Sequence, residues 1–409
     1  MSLLFDVSPQ SLAPLSEQEI LSWLRLYRTE NVGPITFRRL LARYHTPAAA
    51  LEHLPDMARK TGRELTLPSA EAIREEYEGL LAIGGRWVTW HCAEYPTLLG
   101  QIPDSPPIIS LRGAFKLNTR PMIGIVGARN ASLASRQFAR DIACSLGNAG
   151  FSVVSGFARG IDTAAHIGAL DTGTVGVLAG GVDHIYPPEN AKLYGAMIEK
   201  GVFLAESPLG QRPQARHFPK RNRLISGLAY GLIVIEAAKQ SGSLITARLG
   251  ADQGREIFAV PGAPQDPRCT GSNDLLKNGA TMVTSPEDIL ACLQRIGASP
   301  ENTVIPAPLC ETLITPMRTR EQTEISDLTA KYRDTAQYTD KSLQKSSQSH
   351  HDTYNDILAA LSFTPTPLDA LLRACKVSAQ ILQIYLLELE IGGQIERLPG
   401  GKVCLRNKG

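Results

Sequence analysis

MIGIVGARNASLASRQFARDIACSLGNAGFSVVSG, residues 122–156, decides the fold. Two short apolar runs, 122–128 and 151–156, flank a stretch of amphipathic helix length, 132–150. Runs so continuously apolar leave no solvated face, so they read as strands covered on both sides, joined by a crossing helix. The same alternation continues through TVGVLAG (174–180), VFLAES (202–207), GLIVIEA (231–237) and EIFAVPG (256–262). Six buried strands separated by helical segments predict an α/β protein with an extended Rossmann-like, doubly wound parallel sheet. This core is expected over 86–297.

The flanks differ. LSWLRLYRTENVGPITFRRLLARYHTPAAALEHL (21–54) gives amphipathic helices around the turn Asn31–Pro34, predicting a helical domain of SAM or helix-hairpin-helix type over 1–85. A hairpin of this kind can hold a DNA phosphate on its turn amides. Here Pro34 supplies no amide and the second hairpin glycine is missing, so an accessory helical role is expected. Residues 298–352 read as a disordered linker: between Thr319 and His350 the only large aliphatics are Ile325, Leu328 and Leu343, too few to offset ordering entropy. The remainder, 353–409, reads as a winged helix with Pro399-Gly400-Gly401 at the wing tip. Its third helix, about 378–391, carries no Lys or Arg and has Glu388 and Glu390 near its end. Phosphate would repel it, so protein contact or an accessory role is expected over duplex reading. The wing cations Arg397, Lys402 and Arg406 remain available to a DNA backbone.

Composition excludes several classes. In 409 residues the formal net charge is only +2, so any nucleic-acid binding must come from a local patch. Seven cysteines, an odd number without CxxC pairs or Cys/His clustering, read as reduced residues of a cytoplasmic protein with no metal site. No apolar run reaches membrane-span length, and MSLLFDVSPQ lacks the features of a signal peptide. The first strand–helix turn has glycines at 124 and 127 but Arg129 where a dinucleotide backbone would approach. The second strand ends without an acidic residue for a ribose, so no nicotinamide cofactor is expected. There is no G-x-x-x-x-G-K-[ST] motif, and neither His166 nor His184 is marked as partner to a nucleophile. The expectation is binding without turnover.

HFPKRNRLISGL (217–228) supplies the local patch. From Ser207 to Ile235 there is no Asp or Glu, yet Arg212, Arg216, Lys220, Arg221 and Arg223 all fall there. Following VFLAES, this run lies at the carboxyl edge of the sheet, where open α/β proteins bind ligands. SGFARGID (155–162) and QSGS (240–243) read as two anion-accepting turns on the same edge. Asp162 is expected to hold the Arg159 guanidinium or the loop amides, and Glu236, at a strand end, must find donors. Arg129, Arg159, Lys220, Arg221 and Arg223 would line one rim, with Phe157 and Phe218 as apolar planes for bases. Cations tracking phosphates beside aromatic planes are what an unpaired strand requires. Arg129→Ala combined with Arg221→Ala is expected to weaken single-strand binding while leaving the fold intact.

The ordered set GARNAS, SGFARGIDTAAHIGAL, AGGVDHIYPPEN, ESPLG, HFPKRNRLISGL, VIEAAKQSGSLITA, VPG and GSNDLLKNGA, over about 94–290, resembles the DprA (Smf) family of DNA-processing proteins of bacterial transformation. The resemblance implies a dimer that binds single-stranded DNA without cutting it, shields it from nucleases and hands it to the recombinase RecA. It implies DNA contacts at Arg129, Ser155, Gly156, Arg159, Lys220, Arg221, Asn222, Arg223, Ser241, Gly242 and Ser243. Two other readings stay open. A nucleotide-processing enzyme similar to the phosphoribohydrolases shares this sheet but carries PGGxGTxxE, where this chain has SGSLITARLG without the glutamate. A nucleotide-sensing regulator acting through the winged helix is the third.

Overall fold

A computed structural model describes residues 15–61, 66–298, 348–391, 394–398 and 401–406. Most of the expected linker, and the wing-tip residues Pro399 and Gly400, lie outside them. Four helices come first: α1 (Glu17–Arg28), α2 (Pro34–Tyr44), α3 (Pro47–Thr61) and α4 (Ala70–Ala82). Ser16 and Glu19 close α1 with a reciprocal capping box, and Pro34 opens α2 at its first position, where a missing N–H costs nothing.

The central domain runs β1 (Gly85–Thr89), α5 (Thr97–Gly100), β2 (Ile108–Arg112), β3 (Met122–Gly127), α6 (Leu133–Asn148), β4 (Ser152–Ser155), α7 (Ile161–Gly168), β5 (Thr174–Val177), α8 (Ala191–Lys200) and β6 (Val202–Ala205). It continues through α9 (His217–Leu228), β7 (Gly231–Ile235), α10 (Gly242–Asp252), β8 (Glu256–Ala259), α11 (Thr270–Lys277), β9 (Thr281–Met282) and α12 (Pro286–Arg295). Each of the six expected strands forms. The sheet is larger than the sequence indicated: nine strands in the order β1-β2-β6-β5-β4-β3-β7-β8-β9. From β6 to β9 all pairings are parallel, while β2 joins β6 and β1 joins β2 antiparallel. The two antiparallel strands escaped the sequence pattern because no crossover helix separates them, and β9 escaped it because it is two residues long.

Both faces are covered, which is why the strands are apolar throughout. Alternate residues point opposite ways: Ile123, Ile125 and Val153 enter a core with α6, α7 and α12, whereas Val126 and Val154 enter one with α8, α9 and α10. The second core is continuous with the N-terminal helices through an aromatic cluster. Trp23 of α1 lies 5.2 Å from Phe37 of α2 and 5.9 Å from Trp90, just past β1.

The C-terminal unit comprises α13 (Gln348–Ala360), β10 (Thr366–Pro367), α14 (Leu368–Cys375), α15 (Ala379–Ile391), β11 (Ile395–Leu398) and β12 (Lys402–Leu405). Its first helix starts inside the stretch expected as linker. Arg268, held by the buried Asp266, donates to the carbonyls of Ala359 (2.8 Å) and Leu361 (2.5 Å) at the end of α13, docking this unit on the core. On α15, Ile381 and Ile384 are exposed, and the wing cation Arg397 is paired with Glu390.

Candidate nucleic-acid interface

The chain winds outward from β3 in both directions, to β4 on one side and to β7 on the other, so the carboxyl ends of β3 and β7 open the crevice where such sheets bind ligands. Glu236, immediately after β7, fills it. Its backbone is left-handed (φ 48°), which turns the carboxylate onto the start of α6. There it accepts from the Ser132 N–H at 2.8 Å and the Ser132 hydroxyl at 2.6 Å. A bound pyrophosphate would claim those same donors. The second turn behaves alike. The amides of Gly156 and Ala158 donate to Asp162 Oδ2 at 3.1 and 3.2 Å, and burial pushes that carboxyl above its usual range, with Arg221 drawing it back down. The third, at α10, is capped by Ser241, whose Oγ accepts from the Ser243 N–H.

This corrects one expectation and meets two others. The glycine turns are not open anion sites, because buried amides must be satisfied and the protein satisfies them itself. Glu236 and Asp162 find donors as expected, Asp162 through the loop amides. Arg159 instead projects into solvent and faces Glu189 at 3.8 Å.

The cationic helix divides its charges. Successive residues on a helix diverge by roughly 100°, so Lys220, Arg221 and Arg223 of α9 point three ways. Lys220 is exposed. Arg221 turns inward to the strand ends, donating to Gly156 O at 2.5 Å and to Val177 O. A Cβ at Gly156 would stand 2.6 Å from its Nη1, so only glycine leaves room for this close approach. Arg223 goes to the far side, gripping Glu206 through Nη2 at 2.6 Å, Asp104 Oδ2 through Nε at 3.2 Å and Asp104 O through Nη1 at 2.7 Å. Its side chain is 7% exposed. Burial works against its charge, but Glu206 and Asp104 outweigh that and hold the proton firmly. Arg223 is therefore not a rim residue; it is half of a buried ion pair.

Phe157 is a second correction. It is fully buried, with φ 59°, its ring 4.9 Å from Phe203, and it cannot stack on a base. Ser155 is buried too, its hydroxyl tying β4 to β3 through Ile125 O at 2.6 Å. Asn222 is mostly buried and bridges to Gly242 O at 3.4 Å, Ser243 is buried, and Ser241 and Gly242 are half-exposed.

What remains in the open is compact. The Arg129 guanidinium lies 5.2 Å from the Phe218 ring centroid and that of Arg221 5.8 Å from it. Tyr186 leans on the same ring at 5.8 Å and is 46% exposed. Arg129, Phe218 and Tyr186 thus form one cation–aromatic ladder over the buried Arg221, with Lys220 beside it on α9. Tyr186 was missed; its signal is an aromatic set among prolines in the polar loop VDHIYPPEN. Glu206 was missed as well, although a carboxylate ending the apolar run VFLAES must have a buried partner.

His166 does no chemistry here. It is wholly buried, Nδ1 lies 2.7 Å from the Thr174 hydroxyl, and that hydroxyl donates onward to Val153 O, so the ring donates from Nδ1 and is neutral. Burial, reinforced by the Arg221 charge, lowers its pKa to about 3 from 6.5. A depressed histidine destabilises the fold when the unfolded chain takes up the proton. Stability is expected to fall as pH drops below about 6.5, by up to ~1.4 kcal/mol per pH unit, down to about 3. Urea unfolding of wild type and His166→Gln at pH 6.5 and 5.5 checks this; equal pH slopes would refute it.

The fold also gathers Glu236, Asp266 and Cys269, whose ligand atoms lie within 4.8 Å of one another. Both carboxylates are engaged, Glu236 by Ser132 and Asp266 by Arg268, and burial pushes the Cys269 thiol up to about 12.

Fold and site together define an extended Rossmann-like protein whose nucleotide crevice is closed by its own carboxylates and whose carboxyl edge bears cations and aromatics. Residues 86–294 match the DNA recombination-mediator protein A family, 17–79 match a DprA-like N-terminal HHH domain and 341–401 a DprA winged helix domain. Protein Smf of Synechocystis is 30% identical across 94% of this chain and 98% of its own length. The DNA processing protein DprA of Bacillus subtilis is 42% identical across 48% of this chain and 67% of its own. In three dimensions the chain is similar to the crystal structure of DprA from Streptococcus pneumoniae, with TM-score 0.53, 31% identity, and 68% and 93% of the two chains covered. The chain belongs to the DNA recombination-mediator protein A family, the DprA/Smf proteins.

Proposed function

We propose that this protein binds single-stranded DNA along the carboxyl edge of its sheet and passes it, protected, to RecA, with no catalytic turnover. The observation that carries this is the exposed ladder of Arg129, Phe218 and Tyr186 with Lys220 alongside: side-chain charge for phosphates and ring faces for bases, on an edge whose amide sites are already filled. Filled amide sites disfavour a small nucleotide and leave a surface suited to a polymer. The same filling argues against the phosphoribohydrolase and nucleotide-sensor readings. Family membership supports the recombinase partner, a homodimer and a cytoplasmic setting. The exposed Ile381 and Ile384 on a helix without cations support a protein-contact role for the winged helix.

Fluorescence anisotropy with a labelled oligonucleotide, single- against double-stranded across a salt series, tests the reading. Tighter binding of the single strand is expected, and equal or tighter duplex binding would refute it. In the same assay Tyr186→Ala is expected to lose about 1 kcal/mol, roughly fivefold in affinity, for one stacked base. An unchanged affinity would remove Tyr186 from the strand's path. Light scattering checks the dimer, and RecA filament formation on coated DNA checks the hand-over.

A further inference from the structure

A cleft of about 260 Å³ lies between the N-terminal helices and the core. One wall is the α1–α2 connection, with Arg28, Val32 and Gly33. The other is Leu178 and Ala179 beyond β5, Pro208, and the inner side of α9 with Lys220, Arg221 and Leu224. Hydrogen bonds cross this seam. At its floor the Tyr27 hydroxyl donates to Glu206, the carboxylate that Arg223 grips from the other side. Arg28 reaches Glu206 O at 3.2 Å and pairs with Glu76 at 2.8 Å, and Glu76 accepts from the Leu209 N–H at 3.2 Å. Both carboxylates are thereby committed to arginines and Arg221 to Gly156 O and Val177 O, which leaves Lys220 of α9 as the exposed cation on the lining among the described residues. His217, on its lining, has a lowered pKa, chiefly through burial and further through the fields of Arg216 and Lys220.

Two features point to an occupant. The cleft combines apolar walls with a few convergent polar groups, the composition of a ligand site, and is slightly below the ~300–1,000 Å³ that drug-sized ligands fill. It adjoins the rim, since the rim cation Lys220 lines it, as does Arg221 beneath Phe218. We propose that this cleft takes one nucleotide of the bound strand, so that the N-terminal helical domain forms part of the single-strand path. This rests on the single-strand reading above and extends it from the sheet edge to a second domain.

Gly33 provides the test. Its backbone is ordinary (φ −83°) and nothing lies within 4 Å of a Cβ placed there, so a large side chain can be introduced without disturbing the fold. Gly33→Trp, which obstructs the cleft, and Gly33→Asp, which adds negative charge while improving the helix cap, are both expected to bind an oligothymidylate about tenfold more weakly, with Arg129 untouched. Independently, an oligonucleotide carrying 4-thiothymidine, irradiated on the wild-type protein and followed by trypsin, is expected to leave a nucleotide adduct on TENVGPITFR, residues 29–38. If wild type binds the oligonucleotide but 29–38 stays unlabelled, or both Gly33 variants bind within about twofold of wild type, the cleft is overturned and the rim stands. If wild type binds no oligonucleotide, the rim reading falls and the cleft falls with it.

Discussion

Replacing Arg223 by alanine is expected to destabilise the protein by ~3–5 kcal/mol, the usual cost of removing one partner from a buried ion pair. The pair is closed to water, with side-chain exposures of 7% for Arg223 and 10% for Glu206. Without the guanidinium, the Glu206 carboxylate keeps, among the described residues, only the Tyr27 hydroxyl as a donor, and Asp104 O loses its contact at 2.7 Å. The damage would extend beyond α9, because Glu206 is also where the N-terminal helices join the core. Urea denaturation reads the loss directly. A second variant, Arg223→Met with Glu206→Gln, is expected to recover part of it, since it removes the orphaned charge as well as the cation. A loss below about 1 kcal/mol in Arg223→Ala would mean that water reaches Glu206, contrary to the packing described.

Arg129→Ala combined with Lys220→Ala is expected to weaken single-strand binding ~100-fold at moderate salt with the melting temperature unchanged. Two charge-assisted phosphate contacts of about 1.5 kcal/mol each give that figure. If about four phosphates are neutralised per protomer, log K falls with log salt at a slope near −3, and losing two cations flattens it by about 1.4. A weakened but equally steep variant would show that the two residues do not meet phosphate. Lys220 replaces Arg221 in this pair for a structural reason. Arg221 ties the ends of β4 and β5 through Gly156 O and Val177 O. Its removal would mix lost binding with a disturbed sheet edge, so Arg129→Ala with Arg221→Ala is not the fold-neutral test that the sequence suggested.

The boundary between what could be read and what could not follows from the range of the signals. Apolar runs at 122–128, 151–156 and 231–237 were legible because a strand buried on both faces imposes its pattern on every residue. β1 and β2 were not, because their antiparallel pairing leaves no crossover to punctuate the chain. The cations of HFPKRNRLISGL were legible as a charge run, yet three neighbours on one helix had to part. Which of them meets solvent, a carbonyl or a carboxylate depends on Gly156, Val177, Glu206 and Asp104, which come to α9 from elsewhere in the chain.

The sequence by itself determined the parallel sheet, the edge on which any ligand would sit and the concentration of positive charge there, because each is written in local pattern and composition. Only the tertiary structure decided that Glu236 and Asp162 close the amide turns, that Arg223 and Phe157 belong to the interior, and that Tyr186 stands beside Phe218. Those outcomes depend on which distant groups arrive at the same place, and hydrogen-bond satisfaction of buried donors is settled only once they have met.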